Sequence, residues 1–103
     1  MRTVRYSKTA LDQLNMLLAQ GIPAFDSRVV SAKQDLVYDT VDQFLAAHPK
    51  TKRPHPTLKL RVYLISKTPF VVIYDFDDIE LRVHFIVHRS ADLSRLDPSS
   101  AEW

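Results

Sequence analysis

The sequence predicts an α+β fold, a two-helix hairpin packed on an antiparallel sheet in the order β-α-α-β-β-β. Three observations carry this. Apolar residues recur every three or four positions in the first half of the chain, they alternate with a period of two in the second half, and a proline-rich stretch from His48 to Pro56 separates the two regimes.

Val4 and Tyr6 flank Arg5 in a short alternating run, and Ser7 then offers a side-chain oxygen to cap a helix, so Thr3 to Tyr6 reads as a first strand. Ala10, Leu11, Leu14, Leu17 and Leu18 form one apolar stripe. Gly21 permits a left-handed residue and Pro23 forbids continuation, which ends this helix. A second helix starts at Asp26-Ser27, and Val29, Val30, Leu36, Val37, Val41, Phe44 and Leu45 hold helical spacing as far as Pro49. Asp35, Asp39 and Asp42 fall on a different stripe of it, open to water or to a cationic partner.

Three prolines within His48 to Pro56 stop the helix and send the chain across the surface. Leu58, Leu60, Val62 and Leu64 then alternate with Lys59, Arg61, Tyr63 and Ile65 as a second strand. Phe70 to Phe76 and Ile79 to Val87 form two more around Asp77-Asp78. A two-residue turn would set Phe76 opposite Ile79 and Val72 opposite Val83. Ile79, Leu81, Val83, Phe85 and Val87 would share the face beneath the helices.

The totals exclude several function classes. At 103 residues the chain is sized for one core, read as a single domain over 1–103. Cysteine is absent, which removes disulfides and thiolate chemistry, and no apolar run approaches the ~18–20 residues of a membrane span or resembles a signal peptide. The cytoplasm is the expected compartment, and no cofactor is expected. Gly21 is the sole glycine, so no phosphate-cradling loop can be built, and serine-nucleophile motifs are missing.

Net charge is only +2, yet Lys50, Lys52, Arg53, Lys59, Arg61 and Lys67 lie between Gln43 and Tyr74 with no acidic residue among them. The rest of the chain carries eight basic against twelve acidic residues. The molecule should be electrically two-sided, with one region suited to an acidic partner.

Function is expected on the outer sheet face, where the last strand would present Glu80, Arg82, His84, Ile86 and His88 beside Lys59, Arg61 and Tyr63. On a strand His84 and His88 are ~13 Å apart, too far to share a metal. RNA cleavage needs a proton acceptor, a proton donor and cations for the phosphorane, and Arg61, Arg82, His84 and His88 are the right residue types. The alternative is that they solvate the outer face of a half-buried sheet. Val71, Ile73 and Ile86, expected on that same face, suggest cover by another chain.

The ordered pieces resemble the RelE/ParE superfamily of bacterial toxins from type II toxin–antitoxin systems. The resemblance rests on Val4-Arg5-Tyr6-Ser7-Lys8-Thr9-Ala10 entering the first helix, on Val72 to Val83 leading to Val87-His88, and on Ala91-Asp92-Leu93 after the last strand. It implies either a ribosome-dependent messenger-RNA endoribonuclease, like RelE, or a poison of DNA gyrase, like ParE, each held inactive by an antitoxin. The ribonuclease branch usually places Arg after a Tyr at the start of the middle strand, where this sequence has Phe70-Val71, and many members carry Arg-Asp where Ala91-Asp92 stands. Losing cations that neutralise a phosphorane weakens the enzymatic reading. The expectation is therefore a ParE-like toxin that binds gyrase or its DNA complex and is neutralised by a ParD-like, ribbon-helix-helix antitoxin. A RelE-like ribonuclease acting on the ribosome and a non-toxic antitoxin-binding module are the alternatives. Candidate target contacts are Lys50, Lys52, Arg53, Arg61 and Arg89, and candidate antitoxin contacts are Val71, Ile73 and Ile86.

Overall fold

The computed structural model describes residues 2–21, 27–51, 54–56 and 60–103. Strand β1 (Thr3–Tyr6) leads through Ser7 into helix α1 (Lys8–Gly21) and then α2 (Ser27–Asp39). Strands β2 (Arg61–Leu64), β3 (Phe70–Phe76) and β4 (Glu80–His88) complete a four-stranded sheet ordered β1-β4-β3-β2. The last three form the expected antiparallel meander. β1 lies beside β4 and runs parallel to it, so the sheet is mixed.

Ser7 shows why α1 starts where it does. Its Oγ accepts from the Ala10 amide at 2.8 Å and donates to the His84 carbonyl at 2.7 Å, so one buried hydroxyl caps the helix and ties it to β4. Ala10, Leu14 and Leu18 then face Val37, Phe70, Val72, Tyr74, Leu81 and Val83 in the main core between helices and sheet.

After Asp39 the second helix widens into a π-helical stretch, Thr40–Leu45. Val37, Val41 and Leu45 are all fully buried at intervals of four. In an α-helix four residues overshoot a full turn by about 40°. The wider π turn winds less per residue and keeps all three on the core side.

The register departs from the expectation twice. The turn spans Asp77, Asp78 and Ile79: Asp77 Oδ1 accepts from the Ile79 and Glu80 amides, both at 2.8 Å, and Phe76 pairs with Leu81 rather than Ile79. Ile79 therefore lies in the turn, 76% exposed. Further along, Tyr74 pairs with Val83 but Ile73 pairs with Phe85, leaving His84 as the extra residue of a β-bulge.

The bulge resets the alternation. Leu81 and Val83 point at the helices as expected, but Phe85 and Val87 point to the opposite face, and Ile86 turns inward to the main core. Phe85 and Val87 join Leu60, Val71 and Ile73 in a second apolar cluster. Its cover is the C-terminal segment, where Leu93, Leu96 and Ala101 pack against it.

Tyr6 closes one side of the main core. Its hydroxyl donates to Asp42 Oδ1 at 2.8 Å and its ring meets Tyr38 edge-on at 5.4 Å. Burial, then the Asp42 carboxylate, pushes its phenol far above the ordinary value of 10.0, and burial pushes Tyr74 in the same direction. A raised folded-state value means that the unfolded chain loses these protons first, so stability is complete below pH ~10 and declines above it. Urea titrations at increasing pH should show a loss of up to about 1.4 kcal/mol per pH unit per phenol. Tyr6→Phe should lower that slope.

Candidate functional site

Among the described residues, the outer face contains an acidic clamp on one cation. Arg82 Nε donates to Asp75 Oδ1 at 2.9 Å, and its Nη1 donates to Asp77 Oδ2 at 2.8 Å and to Glu80 Oε1 at 2.9 Å. These bonds push the Arg82 pKa further up, and Arg82 together with the turn amides holds the Asp77 carboxyl well below its usual range. An arginine that neutralises three carboxylates has little positive field left for a phosphate.

His84 is committed to the same network. Its Nε2 donates to Asp75 Oδ1 at 3.0 Å, and Trp103 meets its ring edge-on at 4.9 Å, with the Arg5 guanidinium 5.1 Å from the Trp103 ring centre. The other ring nitrogen, Nδ1, is buried without a hydrogen-bond partner.

The last residues, Asp92 to Trp103, therefore act as a strap over this face. Its far end is tied to α1: the Glu102 carbonyl accepts from the Lys8 amide at 2.6 Å and from Thr9 at 3.4 Å, while the Glu102 amide donates to Thr9 Oγ1 at 2.9 Å. Asp92 and Asp97 each cap a short 3-10 turn by accepting from the amides of Ser94 and Ser99, which shapes the strap locally.

The residue set for RNA cleavage is dispersed by this geometry. Arg82 and His84 are on the outer face, spoken for by carboxylates. His88, beyond the bulge, lies with α1 residues Gln13, Met16 and Leu17, and its Nδ1 accepts from the Ser90 amide at 3.1 Å. Arg61 projects to the helix side, its guanidinium 5.0 Å from the Phe76 ring centre. The four do not converge on one point.

Val71, Ile73 and Ile86 require a correction. Val71 is 6% exposed, and Ile73 and Ile86 are fully buried. The outer face does need cover, as its apolar content implied, but the strap supplies it for Val71 and Ile73, and the bulge turns Ile86 into the main core. None of the three offers surface to an antitoxin in this conformation.

The candidate target contacts divide as well. Lys52 and Arg53, like Lys59, lie outside the described residues. Lys50 is exposed on a short 3-10 turn, Pro49–Thr51, that Tyr74 pins by donating its hydroxyl to the Pro49 carbonyl at 2.8 Å. Arg61 stands beside the end of β3, whereas Arg89, exposed after β4, is held near the start of β3 by its amide bond to the Pro69 carbonyl. The residue that the sequence reading missed is Arg2. It donates to the Asp77 carbonyl and lies 5.0 Å from the same Phe76 ring that Arg61 meets. No motif surrounds Arg2, and only the parallel pairing of β1 with β4 reveals its neighbours.

Among the described residues no group of three or more His, Asp or Glu side chains is arranged to hold a metal, and no helix is long and apolar enough to cross a membrane.

No protein-family model matches the chain, and no curated protein matches it. Among solved structures, a chain of the chromosomal ParDE TA system from P. aeruginosa superposes with a TM-score of 0.65 at 18% identity, over 85% of this chain and 96% of that one. At this identity the likeness is one of fold. It bears out at that level the resemblance to RelE/ParE toxins read from the sequence.

Proposed function

We propose that this chain is the toxin of a type II toxin–antitoxin system, ParE-like in action, that works in the cytoplasm by binding DNA gyrase and is neutralised by a cognate ParD-like antitoxin. The observation that carries the reading is the fold shared with a chain of a ParDE system, over nearly the whole of that chain. Fold alone does not choose among the activities a scaffold hosts. The choice against ribonuclease action rests on Arg82, whose charge is taken up by Asp75, Asp77 and Glu80, and on His84, whose Nε2 is held by Asp75. With the outer face strapped, exposed helix residues such as Met16, 60% exposed, are the better ground for an antitoxin.

Expression from a tight promoter is the first test. The chain alone should arrest growth and induce the DNA-damage response while messenger RNA stays intact, and co-expression of the adjacent reading frame should restore growth. Harmless expression with complex formation retained would support the antitoxin-binding module instead. Codon-positioned cuts on translating ribosomes would support the ribonuclease.

A further inference from the structure

We infer that the cleft between Arg2 and the Pro49–Thr51 turn, with the aromatic residues beside it, is a binding site for single-stranded DNA. The inference deepens the gyrase reading by naming which part of a gyrase–DNA complex this surface meets, and it rests on that reading for the choice of DNA.

The cleft has a volume of about 440 Å³, within the usual range for a site that takes a nucleotide-sized group, and is walled by Arg2, Ala47, His48, Pro49, Lys50 and Thr51. Two of these lining residues, Arg2 and Lys50, are cations. Among the described residues neither Arg2 nor Lys50 has a carboxylate partner, in contrast to Arg82 with three and Arg95 with Asp92.

Arg2 is held in place. Its Nε donates to the Asp77 carbonyl and its guanidinium lies over Phe76, with Arg61 at the same 5.0 Å from that ring. The Pro49–Thr51 turn is tied by the Tyr74 hydroxyl on the Pro49 carbonyl and by Thr51, whose Oγ1 donates to the His48 carbonyl at 2.6 Å. Lys50 is exposed on this turn.

Aromatic rings continue from the cleft. Phe44 is 40% exposed, 5.5 Å from the His48 ring and 5.8 Å from Tyr63. Cations for phosphates beside partly exposed rings for bases are the two parts of a single-strand site. An acidic peptide would use Arg2 and Lys50 and leave the rings idle. A duplex keeps its bases stacked on each other and would do the same.

Fluorescence anisotropy of the full chain with a labelled oligothymidylate of about twelve nucleotides tests this. Binding should weaken with salt. Arg2→Gln with Lys50→Gln should flatten the slope of log K against log salt by about 1.4, two contacts at about 0.7 each on a single strand. Phe44→Leu should weaken binding about 5-fold or more with the slope unchanged, the mark of stacking. Should Phe44→Leu fail to fold, the double variant, at surface positions, carries the test alone through its slope.

No binding at about 50 mM salt would overturn the inference, as would a slope indifferent to Arg2 and Lys50. Equal affinity for a duplex or for polyglutamate, or tighter binding of oligouridylate, would also overturn it. Oligothymidylate binding is read without gyrase and without growth, so loss of the toxin reading leaves this result standing, and the reverse also holds.

Discussion

A chain ending at Arg89 should lose most of its stability. Removing the strap uncovers the second apolar cluster, Leu60, Val71, Ile73, Phe85 and Val87, and discards the partly buried Leu93, Leu96 and Ala101. Each large apolar side chain returned to water costs up to about 1.5–3 kcal/mol, less for one that is half-exposed. The Glu102 carbonyl is also lost as an acceptor for the first amides of α1, at about 1 kcal/mol. The sum, roughly 4–6 kcal/mol, is comparable to the whole stability of a small domain. At about 4–8 °C per kcal/mol the thermal midpoint should fall by about 16 °C or more, with new binding of a hydrophobic dye. A midpoint within a few degrees of the full chain would show that Asp92 to Trp103 is a passive tail.

Phe85→Ala should cost about 3–5 kcal/mol, and Ile79→Ala no more than about 0.5. Simple alternation makes these residues equivalent. The turn and the bulge make them opposites: Ile79 is 76% exposed, and Phe85 is 2% exposed at the centre of the second cluster. Ile86→Lys should be more damaging than either, because it buries an ammonium in the main core, where that position is fully enclosed. Chemical denaturation of the three variants decides the point. Similar costs for Ile79→Ala and Phe85→Ala would mean an unbulged strand.

Those substitutions also mark where reading the sequence reached its limit. Element types and order were legible, because Leu14 and Leu18 repeat with a helical period and Val72 and Tyr74 with a strand period, and each pattern has one low-energy solution. The Ser7 cap was legible from its place before the apolar stripe. The bulge was not. His84 is compatible with a strand, and the strand reads Leu-Arg-Val-His-Phe-Ile-Val without any glycine or proline to announce an extra residue. The parallel placement of β1 was also hidden, since four residues do not specify which neighbour they pair with. Both omissions bear on the candidate site. The bulge sends His84 and His88 to different faces, and the placement of β1 brings Arg2 to Phe76 and Arg5 to Trp103. The candidate cations were recognised by residue type, but the clamp of Asp75, Asp77 and Glu80 on Arg82 depends on cross-strand register, as in the Asp75 to Arg82 pairing.

The same clamp bears on the two proposed toxin readings in physical terms. A phosphorane-stabilising arginine must hold its charge in reserve for the transition state, and removing such a group costs several kcal/mol of barrier. Arg82 has already given that charge to carboxylates in the resting fold. A binding toxin needs no such reserve and draws on surface contacts instead.

The most direct measurement is a DNA-cleavage assay with purified gyrase, supercoiled plasmid and ATP, to which the full chain is added in increasing amounts. The proposed function predicts linear plasmid accumulating in proportion to the chain and disappearing when the antitoxin is added first. Unchanged plasmid topology, together with messenger RNA cut on ribosomes supplied with the same preparation, would contradict it.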